Sequence, residues 1–171
     1  SIGAVPQETF LFSDSIENNI AYAETIFFFF LIISAAKISQ IYKDVDKFPK
    51  RFDTMLGERG INLSGGQKQR TSIARAIAAE PQILILDDAF SAVDTYTEEE
   101  ILKGLKDVMK GRTTILISHR ISTLKNADRI IVLKEGSVAE EGTNEELVKK
   151  EGIYSDIYLK QLLEEELKDL E

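Results

Sequence analysis

The chain has 171 residues, and its 21 lysine and arginine side chains are outnumbered by 29 aspartate and glutamate side chains, which gives a formal net charge of −8 at pH 7. This balance argues against nucleic-acid binding as the main role, because neutralising phosphates requires clustered basic side chains. With 43% apolar and 29% charged residues, the composition is that of an ordinary globular protein. The absence of cysteine excludes disulfides and thiol chemistry and fits a cytosolic domain.

The first predicted element is a short strand over residues 1–6, where the hydrophobic pattern alternates. It runs into a polar loop at Gln7, and a glutamine in such a place is by itself an ordinary solvated amide. The serine and aspartate residues at 13–15 predict a helix N-cap immediately before Ile16.

The most apolar stretch of the chain covers residues 25–34. It is too short to cross a bilayer, which needs about 20 apolar residues in a helix. A buried element, a docking surface and a corrupted sequence all remain open for its segment 26–33. Beyond it, apolar side chains at helical spacing across residues 35–52 predict helical structure.

A phosphate-facing helix start is predicted at Ser64, which is followed three residues later by Gln67 in the pattern of a capping box. Gly65 and Gly66 lack side chains, so a ligand could approach the backbone, and the positive end of the helix dipole favours an anion there. Taken alone, these residues would better fit a capped surface helix whose glycines complete a turn. The helix is expected to stop before Pro81.

Two carboxylates, Asp87 and Asp88, follow a continuous apolar run at residues 83–86. Such a run is typical of a parallel strand buried on both faces, and the carboxyl ends of these strands are where open α/β sheets bind ligands. The carboxylate of Asp87 is therefore suited to bind Mg²⁺, which prefers hard oxygen ligands. A loop over residues 91–94 and an acidic-fronted helix over residues 95–109 come next.

A strand predicted over residues 113–117 leads to Ser118 and to His119, the only histidine of the chain. A lone histidine is more often structural than functional. The remaining pattern predicts a short helix at 121–127, a strand at 129–133, a hairpin through 137–142, and terminal helices that begin at a second capping box, Thr143 with Glu146, and pack through Tyr154, Ile157, Tyr158 and Leu162.

The order of these motifs resembles the ATP-binding-cassette family. Its nucleotide-binding domains carry L-S-G-G-Q, here at residues 63–67, then an apolar strand ending in aspartate, an S-A-x-D-like loop and a histidine at similar spacing. The resemblance implies an α/β fold, a P-loop NTPase-like ATPase domain that is partial here, with a parallel-sheet core and a helical subdomain. It also implies ATP and Mg²⁺ as cofactors.

The resemblance assigns roles to single residues. Gln7 would be the Q-loop residue that reaches the catalytic metal and the attacking water, and Asp87 the Walker B acid associated with Mg²⁺. Asp88 would be the catalytic base, and His119 would hydrogen-bond the γ-phosphate or the attacking water. The nucleotide contacts fall to the signature residues and the D-loop that lines the partner interface: Ser64, Gly65, Gly66, Gln67 and Asp94.

The family pattern also divides the chain into three segments. Residues 1–13 would form the Q-loop strand and loop, residues 14–80 the helical subdomain with the signature, and residues 81–171 the second half of the ATPase core. G-E-R-G at residues 57–60 resembles the exporter cross-talk loop that touches the transmembrane part. The Walker A sequence G-x-x-x-x-G-K-S/T does not occur in these residues, so the amino-terminal part of the domain is expected to lie outside them.

Asp88 departs from the family, which usually places glutamate at this position. Aspartate is shorter by one C–C bond of roughly 1.5 Å, and a displacement of about 1 Å can cost on the order of 10²-fold in rate. This predicts a site that binds ATP and hydrolyses it poorly, as in one half of an asymmetric heterodimeric exporter. The alternative is that Asp88 works nearly as well through a relayed water.

The sequence thus predicts the ATP-binding and ATP-hydrolysing subunit of an exporter at the cytoplasmic face of the membrane. Its expected partners are a second nucleotide-binding domain and a transmembrane domain, with no nucleic acid, and the 171-residue chain alone is expected to be soluble and inactive. Two alternatives stay open, a soluble cassette ATPase of DNA repair or translation and a catalytically silent interaction module. The G-E-R-G segment and the acidic charge speak against the first. The transported substrate would be chosen by transmembrane segments that this sequence does not contain.

Overall fold

The computed structural model describes residues 1–22, 29–57 and 61–168. By its internal packing the chain divides into two compact units, Ser1–Ile117 and Ser118–Glu171. The three-segment division expected from the resemblance to the family stays a prediction.

The first unit is a mixture of helices and short strands. Its elements in chain order are β1 (Ile2–Val5), α1 (Ile16–Ile20), α2 (Phe29–Ile38), α3 (Tyr42–Val45), a 3₁₀ turn (Arg51–Asp53), α4 (Gly65–Ala78), β2 (Ile83–Asp87), α5 (Thr95–Met109) and β3 (Thr113–Ile117). The predicted strands and the predicted helix at 95–109 are all present.

The three strands found among the described residues of this unit form a parallel sheet in the order β1-β2-β3. Val5 pairs with Leu86, and Asp87 pairs with Ile117, so the carboxyl ends of all three strands lie at one edge. The expectation that β2 is buried on both faces is met on one face only, where Leu84 and Leu86 are buried, because the alternate positions are partly exposed in the described structure.

Helix α4 packs closely against this sheet. A Cβ atom on Gly3 of β1 would lie 2.6 Å from the carbonyl oxygen of Ala76, so the approach of the two backbones requires glycine in the strand. One face of α4 is apolar and buried, with Ile73 and Ala74 fully covered and Ile77 nearly so. The sheet edge and the start of α4 are therefore held by one shared core.

The helical spacing across residues 35–52 is interrupted in the structure. Helix α2 ends because Gln40 adopts the left-handed conformation, with φ 59°. At this point the Gln40 amide donates to the Lys37 carbonyl (3.1 Å), and the Ile41 amide donates to the Ala36 carbonyl (3.0 Å). This is the hydrogen-bond pattern of a Schellman motif. Glycine usually occupies the left-handed position of that motif, so the sequence carried no local signal for this break.

In its described residues, 118–168, the second unit contains a two-stranded antiparallel hairpin and three helices. Its elements are α6 (Ile121–Leu124), β4 (Ile130–Lys134), β5 (Ser137–Gly142), α7 (Asn144–Lys149) and α8 (Ile153–Lys168). The second predicted capping box is confirmed at Thr143 and Glu146. The face predicted for the terminal helix is only partly packed, since Tyr154 is buried but Ile157 and Leu162 remain substantially exposed.

No helix within the described ranges is long and apolar enough to span a membrane.

The apolar stretch at 25–34 is described from Phe29 onward, so Phe28 lies outside the described residues. Its described part opens α2 and is divided between two environments. Phe30 is 78% exposed, whereas Ile32 is 3% exposed and belongs to the core.

We expect the two changes Phe30→Ser and Ile32→Ser to have different effects on the free energy of unfolding. Phe30→Ser should change it by no more than about 0.5 kcal/mol and reduce aggregation, because the ring is exposed. Ile32→Ser should cost at least about 3 kcal/mol, because it leaves a cavity and a buried hydroxyl. Urea unfolding of both variants measures the difference. Equal losses would show that Phe30 is a core residue.

Candidate functional site

The predicted capping box at the start of α4 is confirmed. The Ser64 hydroxyl oxygen accepts from the Gln67 amide (3.3 Å), and the Gln67 side-chain oxygen accepts from the Ser64 amide (3.0 Å). The side-chain nitrogen of Gln67 donates to Asp44 (3.0 Å). Because both ends of this side chain bond within the chain, Gln67 supports the helix start. The Gln67 amide is satisfied by Ser64, whereas the amides of Gly65 and Gly66 are among the first-turn groups that helix geometry leaves without an intrahelical partner.

Gly65 and Gly66 are the first two residues of α4 and not part of a preceding turn. A Cβ on Gly66 would lie 2.8 Å from the carbonyl oxygen of Ala92, and one on Gly65 would lie 3.4 Å from the Ala92 side chain. The glycines therefore let the loop at 91–94 pack against the helix start. Close packing is therefore a second explanation for the two glycines, beside the access of a phosphate to the backbone that the sequence analysis considered.

An ion pair that local sequence patterns did not predict also supports the start of α4. Arg70 of α4 donates to Asp44 (2.7 Å), and the two side chains are 16% and 26% exposed. Arg70 also bonds the Gln40 carbonyl at the break after α2. Asp44 thus holds Gln67 with one carboxylate oxygen and Arg70 with the other.

Asp87 and Asp88 lie at the carboxyl edge of the sheet, as predicted. Asp87 ends β2, and Asp88 turns the chain with φ 47° while its amide donates to the Ile117 carbonyl (2.8 Å). Aspartate tolerates this left-handed conformation better than most residues other than glycine. Gln7 lies two residues after the end of the neighbouring β1 and is exposed, so these three side chains belong to one sheet edge.

The oxygen atoms of Asp87, Asp88 and Gln7 at this edge are chemically suited to bind Mg²⁺, since carboxylate and amide oxygens are its preferred protein ligands. The described residues contain no group of three or more histidine, cysteine, aspartate or glutamate side chains that could enclose a metal. Magnesium commonly binds through one or two carboxylates together with phosphate oxygens and waters. Asp87 and Gln7 are therefore suited to a metal that arrives with a nucleotide.

The loop that follows Gln7 is tied to α4 by Arg75. Its guanidinium donates to the Phe10 carbonyl (2.9 Å), the Asn19 carbonyl (2.7 Å) and the Asn19 side-chain oxygen (2.8 Å). Asn19 is fully buried and bonds both the amide and the carbonyl of Phe12. Burial lowers the pKa of Arg75 from its ordinary value. These contacts span 56 and 65 residues, which explains why local sequence patterns did not reveal them.

The same loop contributes to the lining of a groove. Its lining consists of residues 9–12, residues 56–57, residues 61–63 and Lys68. Residues 56–57 and 61–63 flank the predicted cross-talk residues, but residues 58–60 lie outside the described residues, so their role stays a prediction. Phe10 is 63% exposed at this groove, which gives the surface an apolar component.

Asp94 caps α5 in the structure. One carboxylate oxygen accepts from the Thr97 amide (2.9 Å), and this hydrogen bond holds the pKa of Asp94 below its usual range. The capping role is sufficient to explain an aspartate here. Its predicted contact with a nucleotide stays a prediction.

His119 belongs to the second unit, where its side chain is exposed. Its carbonyl accepts from the side-chain nitrogen of Gln161 (2.7 Å), and the Ile121 amide donates to the Gln161 oxygen (2.9 Å). Gln161 of α8 therefore fixes the backbone on both sides of Arg120. Sequence reasoning missed this residue, because it lies 42 positions away from the histidine.

The chain as a whole is similar to several known proteins. A family model described as ABC transporter matches residues 1–91. The uncharacterized ABC transporter ATP-binding protein YknU of Bacillus subtilis is 53% identical over 158 residues, which cover 92% of this chain and 27% of that protein. The ATP-dependent lipid A-core flippase of Desulfotalea psychrophila is 51% identical over 157 residues, again 92% and 27% of the two chains.

A solved structure described as a bacterial Atm1-family ABC exporter with ATP bound has the same fold. It superposes with a TM-score of 0.88 at 42% identity, over 94% of this chain and 28% of the exporter chain. The chain thus spans little more than a quarter of the length of these relatives.

Proposed function

The chain belongs to the ABC transporter family, and from that premise we propose that it is part of the ATP-hydrolysing subunit of an exporter. The observation that carries this proposal is the start of α4, where a capping box, two glycines and the first-turn amides form an anion-facing helix end. At the carboxyl edge of the sheet, Asp87 and Asp88 supply the carboxylates, and Gln7 the amide, that ATP hydrolysis with Mg²⁺ requires.

Each of these groups has a defined task in the proposed reaction. Asp87, with Gln7, would hold Mg²⁺, which when bound neutralises phosphate charge. Asp88 would accept a proton from the attacking water and orient it. His119 would hydrogen-bond the γ-phosphate.

The chain would contribute to two different ATP sites in a pair of such domains. Ser64, Gly65 and Gly66 would close over the γ-phosphate of ATP held by the partner domain. Asp87 and Asp88 would serve ATP held by their own domain. The packing of Ala92 against Gly66 supports this arrangement, because it links the signature end to the loop that the resemblance assigns to the partner interface.

The proposed second partner is a transmembrane domain, which would place the chain at the cytoplasmic face of a membrane. The groove lined by residues 9–12 and residues 61–63 supports this, because it joins the Q-loop segment to the segment that flanks G-E-R-G. The relatives are named as a transporter protein, a flippase and an exporter, which favours export over the soluble ATPases of DNA repair or translation.

We expect Mg²⁺-dependent ATP hydrolysis from the longer protein that carries this chain, and none from the 171-residue chain alone. The chain contains no Gly-Lys pair and hence no Walker A lysine or phosphate nest, so it should bind ATP only weakly. A phosphate-release assay on both proteins and calorimetry on the chain measure this. A longer protein that does not hydrolyse ATP contradicts the function, and low-micromolar ATP binding by the chain alone contradicts the expected weakness.

A further inference from the structure

Gln69 is a buried polar residue of α4 that the motifs above do not explain. It lies one turn after Gly65, and the residue is only 5% exposed. A primary amide is costly to bury unless its donors and its acceptor are satisfied. Its partners therefore indicate what holds it there.

In the described part of the chain, the hydrogen-bond partners of the Gln69 side chain all lie within residues 88–92. The side-chain nitrogen donates to the Ser91 hydroxyl (2.8 Å) and, more weakly, to the Asp88 carbonyl (3.5 Å). The side-chain oxygen accepts from the Ala92 amide (2.8 Å). The side-chain amide of Gln69 thus uses both its nitrogen, as a donor, and its oxygen, as an acceptor, to bond the turn that carries Asp88.

The backbone of residues 88–92 is folded into a tight turn beside Gln69. Asp88 is left-handed, and its carbonyl also accepts from the Ser91 amide (3.2 Å), which closes a tight turn. The Ala92 carbonyl, in turn, lies close against Gly66, where an added Cβ would be 2.8 Å from its oxygen. The 88–92 turn therefore contacts α4 both at its glycine start and, one turn later, through Gln69.

We propose that Gln69 is a positioning residue that locks the 88–92 turn onto α4, so that the signature end and the acid-bearing end of this chain move as one body. The proposal deepens the proposed function and rests on it for its kinetic consequence. Ser64 and Gly65 face one nucleotide and Asp88 another, so this lock links the geometry of the two sites. Without the hydrogen bonds of Gln69, the 88–92 turn would no longer hold the first turn of α4, and its amides, in place.

The test replaces Gln69 by methionine, which has similar length and good helix propensity but no amide. The matched control is Gln82→Met, because Gln82 is exposed. Hydrogen exchange of the peptide covering residues 88–92 is measured in the longer protein. We expect at least about tenfold faster exchange of the Ala92 amide in the Gln69 variant, since its acceptor is gone, and no change in the control.

Kinetics separate positioning from mere stability. In the Gln69 variant kcat should fall by about 10-fold to 10²-fold, as expected for misplaced catalytic amides, while KM for ATP changes by less than about twofold. A structural role alone would lower Tm and leave kcat per folded molecule unchanged. Ser91→Ala should lower kcat in the same direction by less, and adding it to Gln69→Met should have little further effect, because both changes break one network.

Each result decides the question. Unchanged exchange at residues 88–92 together with unchanged kcat in the Gln69 variant overturns the proposal. If that variant does not fold, Ser91→Ala decides, and unchanged kcat in a folded Ser91 variant also overturns it. If the unmodified longer protein has no ATPase activity, the proposed function fails, and hydrogen exchange still decides whether Gln69 holds the turn.

Discussion

Replacing Gly65 by aspartate in the longer protein is expected to lower ATP turnover by about 10²-fold or more, because removing one oriented donor from a transition-state oxyanion already costs that much. The added carboxylate would face the γ-phosphate that the first-turn amides of α4 are proposed to bind. The effect should be on chemistry and not on folding. An acidic side chain in the first turn of a helix interacts favourably with its dipole, and glycine is a poor helix former.

The matched control for this change is Gly65→Ala. Its Cβ would lie 3.4 Å from the Ala92 side chain, an ordinary contact, so the packing should survive. We expect the alanine variant to keep more turnover than the aspartate variant at equal or higher Tm. Steady-state ATPase and thermal unfolding of both proteins measure this. Wild-type turnover in the aspartate variant would show that this helix end does not face phosphate.

Local sequence signals predicted the elements that build the site. The capping boxes at Ser64 and Thr143 and the strand at 113–117 were found where the sequence placed them, because caps and periodic patterns depend on neighbours within a few residues. The acids at the end of β2 followed from the same logic. Family resemblance then supplied the roles that these patterns alone leave open.

The contacts that position the site were not predictable in this way. Arg75 reaches Asn19 across 56 residues, and Gln69 reaches Ser91 across 22, so neither pair leaves a periodic trace in the sequence. Gln40 and Asp88 adopt left-handed conformations without the glycine that usually marks such positions, and both are bonded to distant residues, the Gln40 carbonyl to Arg70 and the Asp88 amide to Ile117. The exposed apolar residues of α8 show that helical periodicity alone does not determine which face is covered.

The second large effect concerns Asp88 and separates the two ATP sites of the asymmetric heterodimer that the sequence predicts. Asp88→Asn removes the charge and keeps the shape, and asparagine also tolerates the left-handed φ of 47°. Because aspartate is shorter than the glutamate usual in this family, its site is expected to contribute little hydrolysis. The variant should therefore keep most of the heterodimer's ATPase activity, whereas neutralising the equivalent acid of the partner subunit should stop it.

The central claim is that the two ends of this chain serve different nucleotides, and the most direct measurement compares Gly65→Asp with Asp88→Asn in the same heterodimer. Steady-state ATPase activity is recorded for each single variant beside the unmodified protein and the partner's acid variant. We expect Gly65→Asp and the partner's acid variant to lose nearly all turnover, and Asp88→Asn to retain most of it. If Asp88→Asn silences the heterodimer as completely as the other two, Asp88 is a working base and the assignment of the two ends to unequal sites is wrong.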